Sequence, residues 1–308
     1  MSTLRFQLFG KFSVQRDAQS VQGLEASKEQ ELLSYLLICR DRCHPRETLA
    51  SLLWGDSSTE RSKKYLRQAL WRVQVALEPH ETTSQTTILV EHDWVQLNLK
   101  SELWLDVATF EQAFTATQGV RGDQLEPPDA QILKDAVELY RGDLLDGWYQ
   151  DWCLFERERL QNIYLSMLDK LMNYAEKHRE YESGFAYGSK ILRLDRASER
   201  THRHLMLLQY MAGDRTAALR QYERCVTALQ EELDVKPQRR TTALYEQIRA
   251  DGINNPEPIA AKSGSSATAP QPEILSRLRR LQLVLAAVQK RVQLDIKAVE
   301  QGVKTTKQ

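Results

Sequence analysis

The sequence predicts a mainly α protein with a small β component, and three features of its 308 residues carry that expectation. Short alternating stretches bracket three helix-patterned ones within the first hundred residues, two segments recur 35 positions apart in a helical region, and an apolar heptad pattern closes the chain. The expected order is strands, three helices and a hairpin over 1–100, helices over 101–251, a flexible linker over 252–272, and an amphipathic or coiled-coil helix over 273–301.

LRFQLF (4–9) places Leu4, Phe6 and Leu8 on one face at period two, Gly10 interrupts, and KFSVQR resumes with Phe12 and Val14, which predicts short antiparallel strands. Ser27 and Gln30 have capping-box spacing, and Leu32, Leu33, Leu36 and Leu37 form a helical stripe, so a first helix is expected over about 27–40. Pro45 suits the first position of a second helix with Leu49, Leu52 and Leu53 inward, ending at Gly55. A third helix covers about 59–77, and TTILVEHDWVQLN then offers two β-rich halves around His92 and Asp93, a hairpin.

The third helix carries the strongest functional signal. Across ERSKKYLRQALWRVQVAL (60–77), Arg61, Lys63, Lys64, Arg67 and Arg72 are five cations with no acid after Glu60. At about 100 degrees per residue, Leu66, Leu70, Val73 and Leu77 share one narrow stripe, and Arg61, Lys64, Gln68, Trp71, Arg72 and Val75 surround the opposite direction. A charged outer face is what any surface helix shows, but a solubilising face mixes signs. Like charges at Lys63, Lys64 and Arg67 cost a few tenths of a kcal/mol per pair. An external anion would offset that repulsion, and Trp71 among the cations is a plausible contact group.

Duplex DNA suits this geometry: a helix enters the B-form major groove, where Arg pairs with guanine and Gln with adenine, whereas A-form RNA keeps that groove too narrow. With the hairpin beside it, the arrangement is a helix-turn-helix with a wing.

LRFQLFGKFSV, RETLASLLWGD, the basic third helix and ILVEHDWVQLN together resemble the OmpR-type winged helix at the front of SARP-type bacterial transcription activators, over about residues 3–100. The resemblance implies that the third helix reads the major groove, with Lys64, Arg67, Gln68, Trp71 and Arg72 on it and His92 at the wing tip. It also implies binding to direct repeats upstream of promoters. Arg61 and Lys63 complete the candidate DNA-binding set. Two departures stand out: Glu91, His92 and Asp93 replace the Gly pair common in the family's wing, and Val73, Gln74 and Val75 are less basic than the family's late recognition helix.

Over the next 150 residues, ELWLDVATFEQAF, LYRGDLLDG, YQDWCLFERER and ALYEQI resemble the bacterial transcriptional activation domain of the same family. Independently of that likeness, YGSKILRL (187–194) and YERCVTAL (222–229) align at a spacing of 35, each after a polar turn, KHREY or AGDRT. Tetratricopeptide repeats, stacked helix pairs, have a period near 34. The resemblance implies that this region holds subunits together and contacts other proteins, RNA polymerase or an effector among them.

Charge and composition bound the alternatives. Net charge is +1 over 1–100, −6 over 101–272 and +5 over 273–308. No apolar run approaches the roughly 20 residues of a membrane span and no signal peptide opens the chain, so a cytoplasmic protein is expected, with no membrane partner. Four cysteines without dense spacing fit that compartment. Cys39, Cys43 and His44 lack an evident fourth ligand, so packing is the simpler account of the two thiols. Phosphate-loop, dinucleotide-turn, nucleophile-elbow and zinc-helix motifs are all missing from the sequence. The expectation is therefore binding without catalysis, cofactor or metal. His202 and His204, two apart on a helix, point to different sides.

The leading expectation is a sequence-specific DNA-binding regulator, an activator by family; the competing one is a helical-repeat scaffold whose front region does not read DNA. In the tail, Ile274, Leu278, Leu281, Leu285, Val288, Val292 and Val299 follow heptad steps broken by Asp295, which fits self-association into a homo-oligomer. Deleting residues 273–308 is expected to lower the solution mass measured by light scattering to that of a monomer; an unchanged mass would mean that the heptad packs within its own chain.

Overall fold

The computed structural model describes residues 3–78, 86–101 and 103–252. The expected linker beyond its first residue, and the whole tail helix, lie outside the described residues. Met1–Ile253 form one compact unit.

The front of the unit follows the expected order. Strands β1 (Leu4–Gln7), β2 (Ser13–Arg16) and β3 (Gln19–Ser20) precede α1 (Ser27–Ile38), β4 (His44–Pro45), α2 (Arg46–Trp54) and α3 (Thr59–Leu77). The hairpin β5 (Ile88–Val90) and β6 (Trp94–Leu97) comes next, in antiparallel register with Leu89 opposite Gln96. β4 pairs with β6, so the wing is a three-stranded sheet of order β4-β6-β5.

Leu66, Leu70, Val73 and Leu77 of α3 are buried as the stripe predicts, against the leucines of α1 and Leu49 and Leu53 of α2. Local details differ. Leu52 is exposed, because α2 buries only the i, i+4 pair at 49 and 53. Pro45 sits just before the helix with extended backbone and pairs with Trp94, so it caps α2 rather than starting it. No side-chain cap forms at Ser27; Gln30 instead donates to the Leu24 carbonyl at 2.7 Å. Cys43 is exposed, so packing does not account for it.

The fold departs most from a simple two-part chain at residues 103–106. Strand β7 (Leu103–Leu105) adds to the first sheet in parallel with β1, giving the order β3-β2-β1-β7, and leads directly into α4 (Asp106–Ala116). The Asp106 carboxylate, 3% exposed, accepts the backbone N–H groups of Leu8 at 2.8 Å, Phe9 at 3.0 Å and Val107 at 2.7 Å. Burial pushes this carboxyl above its ordinary pKa, while the three amides pull it down by favouring the charged form.

Around this anchor the LLDG loop closes on the first strand's exit. Leu145 N–H donates to Leu8 O, Gly10 N–H to Asp143 O, and Asp146 N–H to Gly10 O, all at 2.8 Å. Arg157 of α6 (Asp151–His178) donates to the carbonyls of Leu144, Leu145 and Trp148 at 2.9–3.0 Å, which satisfies the loop from behind. Phe9 packs edge-on against Phe110 at 5.0 Å, and Tyr140 stacks on Tyr164 at 4.2 Å. Glu111 takes Arg40 from the front and Arg159 from α6. One core therefore runs through both halves.

The rest is helical: α5 (Pro127–Leu139), then the hairpin of α6 and α7 (Tyr181–Leu194), the hairpin of α8 (Glu199–Met211) and α9 (Arg215–Leu233), and α10 (Arg239–Arg249). The two self-similar segments lie on α7 and α9, the second helix of each hairpin. Each follows a turn with a left-handed residue, Arg179 at φ 58° and Gly213 at φ 86°. Gly184 and Gly188 let α7 approach α8 closely, since a Cβ at 188 would stand 2.6 Å from Leu205 Cδ2 and 2.9 Å from its Cγ.

Asp106→Ala is expected to leave the buried amides of Leu8 and Phe9 without an acceptor and to cost about 2 to 4 kcal/mol in chemical denaturation. Asp106→Asn keeps one acceptor oxygen and should fall between the two.

Candidate nucleic-acid interface

Three local devices hold α3 with one face outward. At its start, the buried Ser62 hydroxyl lies 2.9 Å from Trp54 O and 3.1 Å from Ser58 O, which closes the turn from α2. At its end, Arg16 donates to the last-turn carbonyl of Leu77, a cation where the helix dipole is negative. Between them, Gln74 reaches Ile88 O at 3.3 Å and ties the helix to the wing's first strand.

The predicted residues separate into three groups. Arg61, Lys64, Arg67, Gln68 and Trp71 are exposed on the face opposite the core stripe, and Trp71 retains 64% of its surface. Among the described residues, Arg61, Lys64 and Arg67 make no ion pair, so their charge is free for a ligand. Over its 19 residues α3 is about 28 Å long at 1.5 Å per residue.

Lys63 and Arg72 form the second group, because each is engaged by an acid from a neighbouring helix. Lys63 Nζ lies 2.7 Å from Glu47 Oε1 of α2, and that carboxylate holds the ammonium above its ordinary pKa. Arg72 NH1 lies 2.8 Å from Glu29 Oε1 of α1, whose side chain is 6% exposed. Arg72 is thus both a surface cation and the counter-charge of a buried carboxylate.

His92 stands alone in the third group. Its side chain is 96% exposed at the wing tip, where its Nδ1 lies 2.6 Å from Asp93 Oδ1. With Glu91 and Asp93 beside it, the tip offers acids rather than cations.

Sequence reasoning missed the parts that hold this surface. Arg46 at the start of α2 donates its backbone N–H to Asp93 O at 3.0 Å and its guanidinium to Glu91 O at 3.1 Å, so α2 supports the wing. Glu29 was legible in principle: it lies on the apolar stripe of α1, three and four residues before Leu32 and Leu33, where an acid requires a partner. Beside α3, Trp71, Arg72 and Val75 form one wall of a cleft of about 730 Å³ whose other wall is the β2–β3 hairpin.

Among the described residues no group of His, Cys, Asp and Glu is placed to hold a metal, and no helix is long and apolar enough to cross a membrane. His44 is buried, with Nε2 2.9 Å from Cys39 O. His202 turns inward to Gln221, and His204 turns to Glu176.

Residues 105–249 match the family described as bacterial transcriptional activator domain. Among solved structures, that of Mycobacterium tuberculosis EmbR in complex with a low-affinity phosphopeptide is similar. Its TM-score is 0.60 at 18% identity, and the match covers 82% of this chain and 66% of that one. The chain thus spans a little less than two thirds of that structure's length. No curated protein matches the sequence. The mainly α fold, with a winged helix-turn-helix before a helical-repeat region, is borne out, as is the resemblance to SARP-type activators.

Arg72→Ala strands the Glu29 carboxylate and is expected to lower stability by about 1 to 3 kcal/mol, the exposed arginine tempering the full penalty of a broken buried pair. Adding Glu29→Gln should recover most of that loss; strictly additive losses in the double-mutant cycle would show that the two side chains are not coupled.

Proposed function

We propose, with the match of residues 105–249 to the bacterial transcriptional activator domain as premise, that this chain is a SARP-type transcription activator that reads duplex DNA with α3. The observation that carries the reading is the outward face of α3. Three cations without partners among the described residues, Arg61, Lys64 and Arg67, stand with Gln68 and an exposed Trp71 directly behind a fully buried apolar stripe. In the major groove, Arg67 and Gln68 are placed for base edges, Arg61 and Lys64 for phosphates, and Trp71 for sugar or thymine methyl contact. Lys63 and Arg72 contribute field more than contacts, because Glu47 and Glu29 already hold them.

Magnitudes favour binding by more than one copy. Three free cations correspond to a log-log salt slope of only about −3 from α3, at roughly −0.9 per phosphate contact, and the acidic wing tip adds little. Two chains on adjacent repeats would double the slope and add the gain of effective concentration. Contact with RNA polymerase belongs to the helical region in this reading, and the C-terminal heptad is the element that would join the chains.

Selection of bound sites from random duplexes should return a repeated half-site. On that site Arg67→Ala is expected to weaken binding by about 1 to 3 kcal/mol and relax preference at one base position. Affinity should fall with salt at a slope near −3 per chain. Recovery of no enriched sequence, or an Arg67→Ala variant as tight as the parent, would favour the scaffold alternative, in which the helical repeats carry the function.

A further inference from the structure

Between α7, α8 and α9 lies a cleft of about 320 Å³, at the small end of the range for ligand pockets. On α7, Phe185, Ser189 and Arg193 stand four residues apart and face it together, with Leu192 beside them. Leu205 of α8 forms the apolar floor, held there by the close approach of α7 at Gly188. The lining carries two arginines, Arg193 and Arg224, and no acid, although the region from 101 to 272 is net negative.

A buried polar chain orients one of those arginines. His202 is 4% exposed; its Nε2 lies 2.9 Å from Arg196 O, so that nitrogen carries the proton and donates. Nδ1 is then an acceptor and takes the Gln221 side-chain NH₂ at 2.7 Å. That turns Gln221 Oε1 toward Arg224, whose NH1 lies 3.4 Å away. Burial lowers the His202 pKa, which keeps the ring neutral and preserves this direction of donation. The chain ends on a guanidinium with donors left over at the cleft, and Arg193 makes no ion pair among the described residues.

A second observation is independent of the first. Gln209, on the same wall, has a buried Oε1 with no hydrogen-bond partner among the described residues. A buried amide left half-satisfied is costly, and a Gln amide turns readily to present either its oxygen or its NH₂. A ligand's polar end would complete it.

We propose that this cleft binds a small organic anion, a carboxylate or phosphate on a short apolar body. Arg193 and Arg224 take the charge, the Gln209 amide takes a ligand oxygen, and Phe185, Leu192 and Leu205 cover the body. Planar guanidinium groups match both oxyanions. The site lies in the helical region and makes no use of α3, so it stands or falls apart from DNA reading.

The test is calorimetry and thermal melting of the full chain with hexanoate, hexyl phosphate and inorganic phosphate, against chloride at matched ionic strength. Hexanoate or hexyl phosphate is expected to bind and, at ten times its Kd, to raise Tm by about 3 to 6 °C; which of the two binds tighter assigns the oxyanion. The double variant Arg193→Gln, Arg224→Gln should weaken that binding at least tenfold. Its ligand-free Tm should be unchanged, since both side chains are exposed and outside any ion pair among the described residues. Absence of binding by all three probes, equal binding by parent and double variant, or inorganic phosphate binding as tightly as hexyl phosphate would overturn the proposal.

Discussion

One buried carboxylate joins the two halves of this molecule. Asp106 accepts the amides of Leu8 and Phe9, at the point where the first strand leaves the sheet, and it is also the first residue of α4. A charge in an apolar core is tolerated only when its oxygens are satisfied, and three N–H donors satisfy it here. The same short stretch of backbone, Leu8 to Gly10, also pairs with the LLDG loop. The motifs LRFQLFG and LYRGDLLDG, 130 residues apart, are thus the two sides of one joint, and their shared chemistry is mutual hydrogen bonding.

Because β7 is built into the front sheet and the core is continuous, the helix-turn-helix does not hang on a tether. The direction of α3 relative to the helical repeats is set by the packing of Phe9, Phe110, Tyr140 and Tyr164 and by the Arg40–Glu111–Arg159 bridge. A rigid joint of this kind costs nothing further in orientational entropy when the front half binds, so contacts made by the helical region are presented at a fixed angle to whatever α3 holds.

Charge on α3 is arranged in two tiers. The flanking cations, Lys63 and Arg72, are matched by acids on α2 and α1, which relieves repulsion and braces the three-helix front. The central ones remain unmatched among the described residues. In the helical region a different device recurs: small residues at 184 and 188 bring α7 against α8, and a neutral histidine in the seam with α9 orders an amide and a guanidinium. Both regions use a buried polar group to aim an exposed cation.

Much of this was legible in order along the chain. Periodicities of two and 3.6 separate strands from helices, and the leucine stripe of α3 determined by itself which residues would face water, because a helix surface is a fixed function of sequence spacing. The 35-residue recurrence likewise located matching helices. What the sequence could not determine is who meets whom across space. That Glu29 and Glu47 engage two of the five cations, that Asp106 bonds to residues 98 and 97 positions earlier, and that Arg193 and Arg224 line one cleft depends on how helices cross. Only tertiary structure decided these pairings, since side-chain partners far apart in sequence are selected by packing and burial, which no local period encodes.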